Sequence, residues 1–319
     1  MKRAAARTES MPPRTRTALR RMAGRLLTGL TLTGLTLTGC AAQHRTPPEA
    51  PSHRALTSDE QDTLTRAEHV LVEACMRAQG YEGFPLDSPD SPDAQPVPPR
   101  PARLAHVLAD RSWAAEHGYG IAEQRRSGAG PGSTPASRYA QKLPEPDRRR
   151  FLTVLYGKER TGLSARLPSG TVTASDQGCT ARARHALYRD LPHWFTGKVI
   201  DENLTALTGT RLHAEPAYQA AAARWSACMQ THGVSAASPG ALKARLPELL
   251  AGDDPAGTTE RRIAVTEAEC AADSGLAGVV DGLVDPLTEE VRAPYRSDLD
   301  TYRRLQLQAL PRARAAALR

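Results

Sequence analysis

The chain has 319 residues, of which 40% are hydrophobic but only 4% aromatic, and its formal net charge is +7. Residues 1–39 contain eight basic residues and a single acid, Glu9, so this segment carries the entire net charge. Because the remainder is neutral overall, it lacks the broad basic field that binding to a phosphate backbone needs, and we predict no nucleic-acid partner.

The first 39 residues have the layout of a bacterial lipoprotein signal peptide. A basic start precedes an apolar run from Leu26 to Gly39, which is shorter than the roughly 20 residues of a membrane-spanning helix. The sequence Leu-Thr-Gly-Cys at 37–40 resembles a lipobox, so we expect cleavage before Cys40 and lipidation of this cysteine. An ordinary signal peptide and an uncleaved anchor are the alternatives, and the export route stays open between the general and twin-arginine pathways.

The segment that follows the signal is predicted to be a spacer. Residues 40–57 are rich in proline and alanine and show no apolar periodicity, which is typical of a flexible tether. We therefore expect a folded body, held by the lipid of Cys40 on the extracytoplasmic face of the cell membrane.

The body is predicted to begin with a helix that Ser58 caps and Gly80 ends. Seven prolines between Pro85 and Pro101 predict a long irregular loop, since proline is excluded from helix interiors and central strands. A short helix is expected over 102–117, then a second loop rich in glycine, then a helix with Pro146 in its first turn.

The only stretch with strand character is short and covers 164–178. We expect Ser175 to cap the next helix, and apolar spacings of three and four residues predict further helices over 192–209, 215–233 and 258–275. The C-terminal part is also predicted to be helical, with breaks at the three prolines Pro286, Pro294 and Pro311. The predicted fold is all-α, a helical body with long loops rich in proline and glycine.

The cysteines follow an internal repeat. Ala-Cys-Met-x-x-x-Gly occurs around Cys75 and again around Cys228, and each copy is followed by a later cysteine within a helix, Cys179 or Cys270. Four cysteines in an exported protein allow three pairings, and the repeat favours Cys75–Cys179 with Cys228–Cys270. We therefore predict two similarly stapled helical halves, 58–210 and 211–319.

Two other functions of the cysteines, metal binding and nucleophilic catalysis, are less well supported by the sequence than disulfide pairing. Cys228 and His232 are four residues apart, a spacing that places two metal ligands on one helix face, but the first copy has Gln79 in the position of the histidine. Cys179 lies in the first turn of a helix, where a thiol pKa falls, but an oxidising compartment favours pairing. We predict no metal site and no cofactor.

Several stretches together resemble a group of actinomycete secreted lipoproteins of uncharacterised function. The stretches are WSACMQTHGV with IAVTEAECAADSGL, TVTASDQGCTARARHALY, and ASRYAQKLPEPDRRRFLTVLYG, within a match over most of residues 58–285. The resemblance implies secretion, lipidation and disulfide bonds, and it assigns no catalytic residue. It also suggests an association with transport components of the envelope.

No catalytic motif of the common hydrolases or nucleotide-binding enzymes is present in the sequence. We therefore predict a membrane-tethered lipoprotein that binds a ligand or an envelope protein, such as a transporter, without catalysis. The alternative is an envelope hydrolase with a dispersed site of carboxylates and histidine. For it the sequence offers Glu289, Glu290 and His185, although we expect the two acids on a solvated face and the histidine in the core.

Overall fold

The computed structural model describes residues 54–82, 101, 103–126, 135–252, 254 and 256–317. Over these ranges the chain is largely helical with one two-stranded sheet, which confirms the predicted all-α fold class. The described residues belong to one compact unit. The predicted signal peptide, Cys40, most of the tether and most of the proline-rich loop lie outside the described residues.

The helices of the described residues fall into three groups along the chain. The first group is α1 (Ser58–Ala78), α2 (Arg111–His117), α3 (Ile121–Arg126), α4 (Pro135–Lys142) and α5 (Glu145–Tyr156). After a β-hairpin come α6 (Gly178–Tyr188), α7 (Leu191–Ala214), α8 (Pro216–Thr231) and α9 (Pro239–Leu249). The last group is α10 (Thr258–Asp273), α11 (Leu276–Arg292), a 3₁₀ turn (Ala293–Tyr295) and α12 (Arg296–Ala317).

The hairpin is formed by strands β1 (Gly162–Leu167) and β2 (Gly170–Ser175), which pair antiparallel with Leu167 opposite Gly170. In β1 the exposed and buried positions alternate, so Leu163, Ala165 and Leu167 turn inward. This is the period of two expected of a strand with one buried face.

Two predicted helix starts are wrong. The cap of α1 is Thr57, not Ser58, because its hydroxyl accepts the Glu60 amide while the Glu60 carboxylate accepts the Thr57 amide, a reciprocal capping box. Ser175 ends β2 and does not cap α6, whose first residue is Gly178.

Other boundaries also differ from the sequence prediction. The helix expected over 102–117 begins only at Arg111, where the Asp110 carboxylate accepts the Trp113 amide. Pro286 and Pro311 lie inside α11 and α12 and do not end them. Only Pro294 marks a break, since it lies in the 3₁₀ turn between these helices.

Buried side chains form three clusters in the described residues. The largest joins residues 107–119 to α8, α9, α10 and α11, and the second joins α1, β1, α6, α7 and α12. The third lies among α1, α4, α5 and α6 and includes Cys179. The C-terminal α12 therefore packs on elements from the first half of the sequence, and residue 210, the predicted boundary of the halves, lies inside α7. The two stapled halves stay a prediction about domains.

Candidate functional site

Both predicted cysteine pairings are confirmed. Cys75 of α1 is bonded to Cys179 of α6, and Cys228 of α8 to Cys270 of α10, with 5.6 Å between the Cα atoms of each pair. They close intervals of 104 and 42 residues. On the chain-entropy model such loops contribute about 4–5 kcal/mol each, as an upper figure.

The glycines of the repeat end their helices in the same way. Gly80 has φ +86°, and the amide of the next residue, Tyr81, donates to the Met76 carbonyl at 3.0 Å. Gly233 has φ +76°, and the amide of Val234 donates at 3.0 Å to the carbonyl of the methionine five residues before it. This is the Schellman arrangement, in which glycine accepts a left-handed conformation that other residues avoid. The repeat is therefore a helix stop with a disulfide beside it.

One cluster of the described residues has the composition of a metal site. The side-chain ligand atoms of Cys228, His232 and Cys270 lie within 4.8 Å of one another, so the spacing of Cys228 and His232 does bring metal-ligand types together. The two sulfurs, however, are joined in the disulfide. Because a cysteine binds a metal as the free thiolate, the oxidised pair leaves only the exposed His232 imidazole as a donor.

Two buried carboxylates lie under the segment that holds α2 and α3. Glu260, 2% exposed, accepts the backbone amides of Tyr119, Ile121 and Ala122 at 2.7, 2.8 and 2.7 Å. The amides of Ile121 and Ala122 begin α3 and have no partner within the helix, so Glu260 of α10 replaces a local cap. Its carboxylate is committed to holding the segment in place.

The second carboxylate, Glu267, lies two turns further along α10 and is fully buried. It accepts the Leu108 amide at 3.0 Å and the Tyr119 hydroxyl at 2.5 Å. Burial raises the pKa of Glu267, and the nearby positive charge of Lys243 partly offsets this rise. Both oxygens are engaged, so this group too serves the fold.

Basic groups lie beside Glu267. Burial lowers the pKa of the Lys243 amine, which donates to the Leu104 carbonyl, and burial together with the charge of Lys243 lowers the pKa of His106. Burial also raises the pKa of Tyr218 to about 12. Perturbed groups of this kind are common at catalytic sites but also arise in structural networks. Here the acid that would act, Glu267, is fully buried and already bonded to backbone and tyrosine.

A pocket of about 570 Å³ opens between α5, the hairpin, α6 and the start of α7. Its shape depends on a close approach of two turns. Gly178 has φ +89°, and a Cβ at this position would lie only 2.5 Å from the Gly157 nitrogen. The first turn of α6 is therefore held against the end of α5, and the turn after α5 is left at the pocket wall.

The charged side chains that line this pocket are all basic. They are Arg149 at the exposed face of α5, Lys158 and Arg160 in the connection to β1, and Arg184 of α6. Arg184 donates to Glu68 at 2.7 Å and lies over the Trp194 ring. Within the described part of the chain, the lining contains no acid, histidine or cysteine.

The pocket also concentrates exposed apolar groups. Leu152, Tyr156 and Val172 are the large hydrophobic side chains that stand out as exposed among the described residues, at 37%, 50% and 40%. The first two line the pocket, whereas Val172 of β2 does not. The floor is formed by buried side chains such as Leu163 and Phe195. Sequence reasoning missed this site, although basic and apolar residues alternate closely in RRRFLTVLYGKER.

The residues considered for a hydrolase do not converge. Glu289 and Glu290 are exposed on α11, as expected, with Arg292 and Arg211 as their ion-pair partners. His185 is exposed on α6, so its predicted place in the core is wrong. None of the three lines the pocket.

Comparison of the chain with protein-family models, characterised proteins and solved structures finds no match. Within the part of the chain that the structure describes, no helix combines the length and the apolar character needed to cross a membrane.

Proposed function

We propose that this chain is a lipoprotein anchored through Cys40 to the extracytoplasmic face of the cell membrane, where it binds a ligand without converting it. We place it among secreted actinomycete lipoproteins of this kind, as an accessory component of the envelope. The anchor is supported by the N-terminal sequence pattern, and the two disulfides suit an oxidising compartment.

One observation carries the binding role. The pocket beside the hairpin is large enough for a small ligand, and its described lining has basic and apolar side chains and hydroxyl groups but no acid, histidine or cysteine that would activate a nucleophile. The buried acids elsewhere, Glu260 and Glu267, are bonded to backbone amides and tyrosine. The geometry therefore favours recognition over reaction.

The anchor is tested by fractionation of cells that produce the wild-type chain or its Cys40→Ser variant. We expect the wild type in the membrane fraction, released only by detergent and digested by protease added to intact protoplasts. The variant should carry no lipid, because a serine hydroxyl cannot form the thioether that joins the lipid to Cys40. A wild type that is soluble without detergent, or one shielded from protease, would contradict the proposal.

The partner is tested in the same cells by chemical cross-linking. If the protein assists an envelope transporter, wild-type chain should yield a discrete cross-linked membrane protein that is absent with Cys40→Ser. Recovery of no such product in repeated experiments would remove the transporter from the proposal.

The alternative, an envelope hydrolase, is tested with labelled envelope polymers. Release of soluble fragments that depends on His185, Glu289 or Glu290 would support it. Unchanged polymer after prolonged incubation would leave the binding role.

A further inference from the structure

We infer that the pocket beside the hairpin binds an anionic amphiphile, with an acidic headgroup at its basic wall and an apolar chain across its exposed hydrophobic side chains. This inference rests on the proposed binding function and specifies the class of ligand. Basic side chains without an acidic partner and exposed apolar side chains both occur at this pocket.

The basic wall contains charges that the protein itself does not neutralise. Arg184 is paired with Glu68, and Arg149 lies 3.9 Å from the exposed Glu145. Lys158 and Arg160, in contrast, have no ion-pair partner among the described residues, and both are exposed. Two acids lie nearby, Glu159 between them in the sequence and Asp176, whose carboxyl group lies beside Gly162, but both are exposed and do not line the pocket. A group with negative charge would therefore complete the electrostatics of this wall.

The apolar side of the pocket explains why a simple anion is an incomplete ligand. Leu152 and Tyr156 of α5 leave about two-fifths and one-half of their surfaces in solvent. Tyr156 is the last residue of α5, directly before the basic connection, and Leu152 lies one turn earlier. Exposed aliphatic and aromatic side chains that gather at one pocket mark a binding surface more often than scattered ones do. An alkyl chain laid over them towards Phe195 would remove apolar surface from water, which stabilises a complex by about 25 cal/mol per Å².

The proposed attachment of the protein to a membrane makes a membrane lipid one source of such a ligand. A body tethered by an N-terminal lipid would stay within reach of the anionic headgroups of its own membrane. The same chemistry is offered by a free phosphate ester without a chain, and the experiment below separates the two sources.

The test uses the full chain with Cys40→Ser, purified without detergent after export, and isothermal titration calorimetry. The probes are dihexanoyl phosphatidylglycerol below its micelle concentration, dihexanoyl phosphatidylcholine with the same chains but no net charge, and glycerol 3-phosphate, which has no chains. We expect the phosphatidylglycerol to bind at least ten times more tightly than either of the other probes. Equally tight binding of phosphatidylcholine would show that the acidic headgroup is not required and would overturn the inference. Equally tight binding of glycerol 3-phosphate would do the same for the apolar chain.

Variants link the binding to the pocket. The double variant Lys158→Gln/Arg160→Gln should weaken phosphatidylglycerol binding about 30-fold, because each cation near an anionic headgroup contributes about a fivefold factor. Arg166→Gln is the matched control, since Arg166 is an exposed cation of the same hairpin that does not line the pocket. It should leave binding within twofold of the wild type. Leu152→Ser should weaken the binding of phosphatidylglycerol but not the binding of glycerol 3-phosphate.

The outcomes separate this inference from the function on which it rests. Tight binding that survives Lys158→Gln/Arg160→Gln would overturn the assigned site. Binding only to vesicles of phosphatidylglycerol and phosphatidylcholine, with none to the monomeric probe, would replace the pocket by a membrane-contact surface and overturn the inference. In each of these cases the fractionation of wild type and Cys40→Ser still decides whether the protein is a tethered lipoprotein.

Discussion

Glu260 is the single residue on which the geometry at the start of α3 depends most directly. It is almost fully buried, and three backbone amides of residues 119–122 donate to its carboxylate. A carboxylate is well suited to this position because its two oxygens have room for several donors, and bonds to a charged acceptor are stronger than neutral ones.

Replacement of Glu260 by alanine should be strongly destabilising. Two buried amides and one partly buried amide would lose their acceptor, and each unsatisfied buried group costs about 1–3 kcal/mol, so we expect a loss on the order of 3 kcal/mol in the free energy of unfolding measured with urea. The amides of Tyr119, Ile121 and Ala122 should exchange faster with deuterium than in the wild type.

Glu269→Ala is the matched control for this change. Glu269 lies on the same helix and forms an exposed ion pair with Arg111, so its loss should cost less than about 1 kcal/mol. If the two variants lost similar stability, the role assigned to Glu260 would be wrong.

The raised pKa of Glu267 predicts the direction in which the unfolding free energy changes with pH. Burial raises its pKa in the folded chain above the ordinary value of 4.5, so the folded chain keeps this proton when the unfolded chain has released it. The stabilisation linked to this proton is complete below about pH 4.5 and is lost as the pH rises through the folded-state pKa. Unfolding free energy should therefore carry a contribution from Glu267 that decreases with rising pH in that window.

Glu267→Gln isolates this contribution. A glutamine keeps an oxygen for the Leu108 amide, and its amide nitrogen can donate to the Tyr119 hydroxyl, but it has no proton to release. The stability of the variant relative to the wild type, from urea titrations between pH 4 and pH 8, should rise across the window. Glu269→Gln, at an exposed position, should show no such rise, and a flat difference for Glu267→Gln would contradict the account.

At the scale of elements, the crossing of α7 and α12 depends on a missing side chain. A Cβ on Gly197 of α7 would overlap the Cβ of Tyr302 and lie 3.0 Å from the Asp298 carbonyl oxygen. The two helices therefore approach more closely here than a side chain permits, which brings the C-terminal helix onto the core of α1, β1 and α6.

Gly197→Ala should push these helices apart and lower the unfolding free energy by about 1–3 kcal/mol, the usual cost of an overpacked core. Gly209→Ala offers a control in the same helix, because its Cβ would meet only His106 ring atoms at an ordinary 3.6 Å. Alanine is the better helix former by up to about 1 kcal/mol, so this variant should be as stable as the wild type or more stable. Equal losses in thermal or urea unfolding would exclude the close crossing.

Helices and staples could be predicted from sequence because their signals are local or repeated. Pro146 in a first turn indicated α5, apolar spacing placed α8, and the two copies of Ala-Cys-Met selected one of three cysteine pairings. Helix ends were harder, since Thr57 and Ser58 are both good caps and only the reciprocal bond to Glu60 decides between them. Pro286 and Pro311 were misread because a helix interior tolerates proline when tertiary packing holds the turn, and Leu287 and Leu310 beside them are buried.

At the scale of the whole molecule, the pocket illustrates what the sequence leaves open. Its wall joins Arg149, Lys158 and Arg160 to residues of β2, α6 and α7 that follow by 13 positions or more. The sequence indicates each element, but the side on which the hairpin packs depends on Gly178 meeting Gly157, a contact between two turns with no periodic signal. The pocket could therefore be found only after the elements were assembled.

We propose that the protein holds an anionic ligand in this pocket, close to the membrane. Native mass spectrometry of the chain released from the membranes of its own organism tests this claim most directly. We predict a discrete anionic adduct on the wild type and on Arg166→Gln, chemically unchanged after release and much reduced on Lys158→Gln/Arg160→Gln. An adduct-free wild type, or an equal adduct on all three chains, would contradict the account.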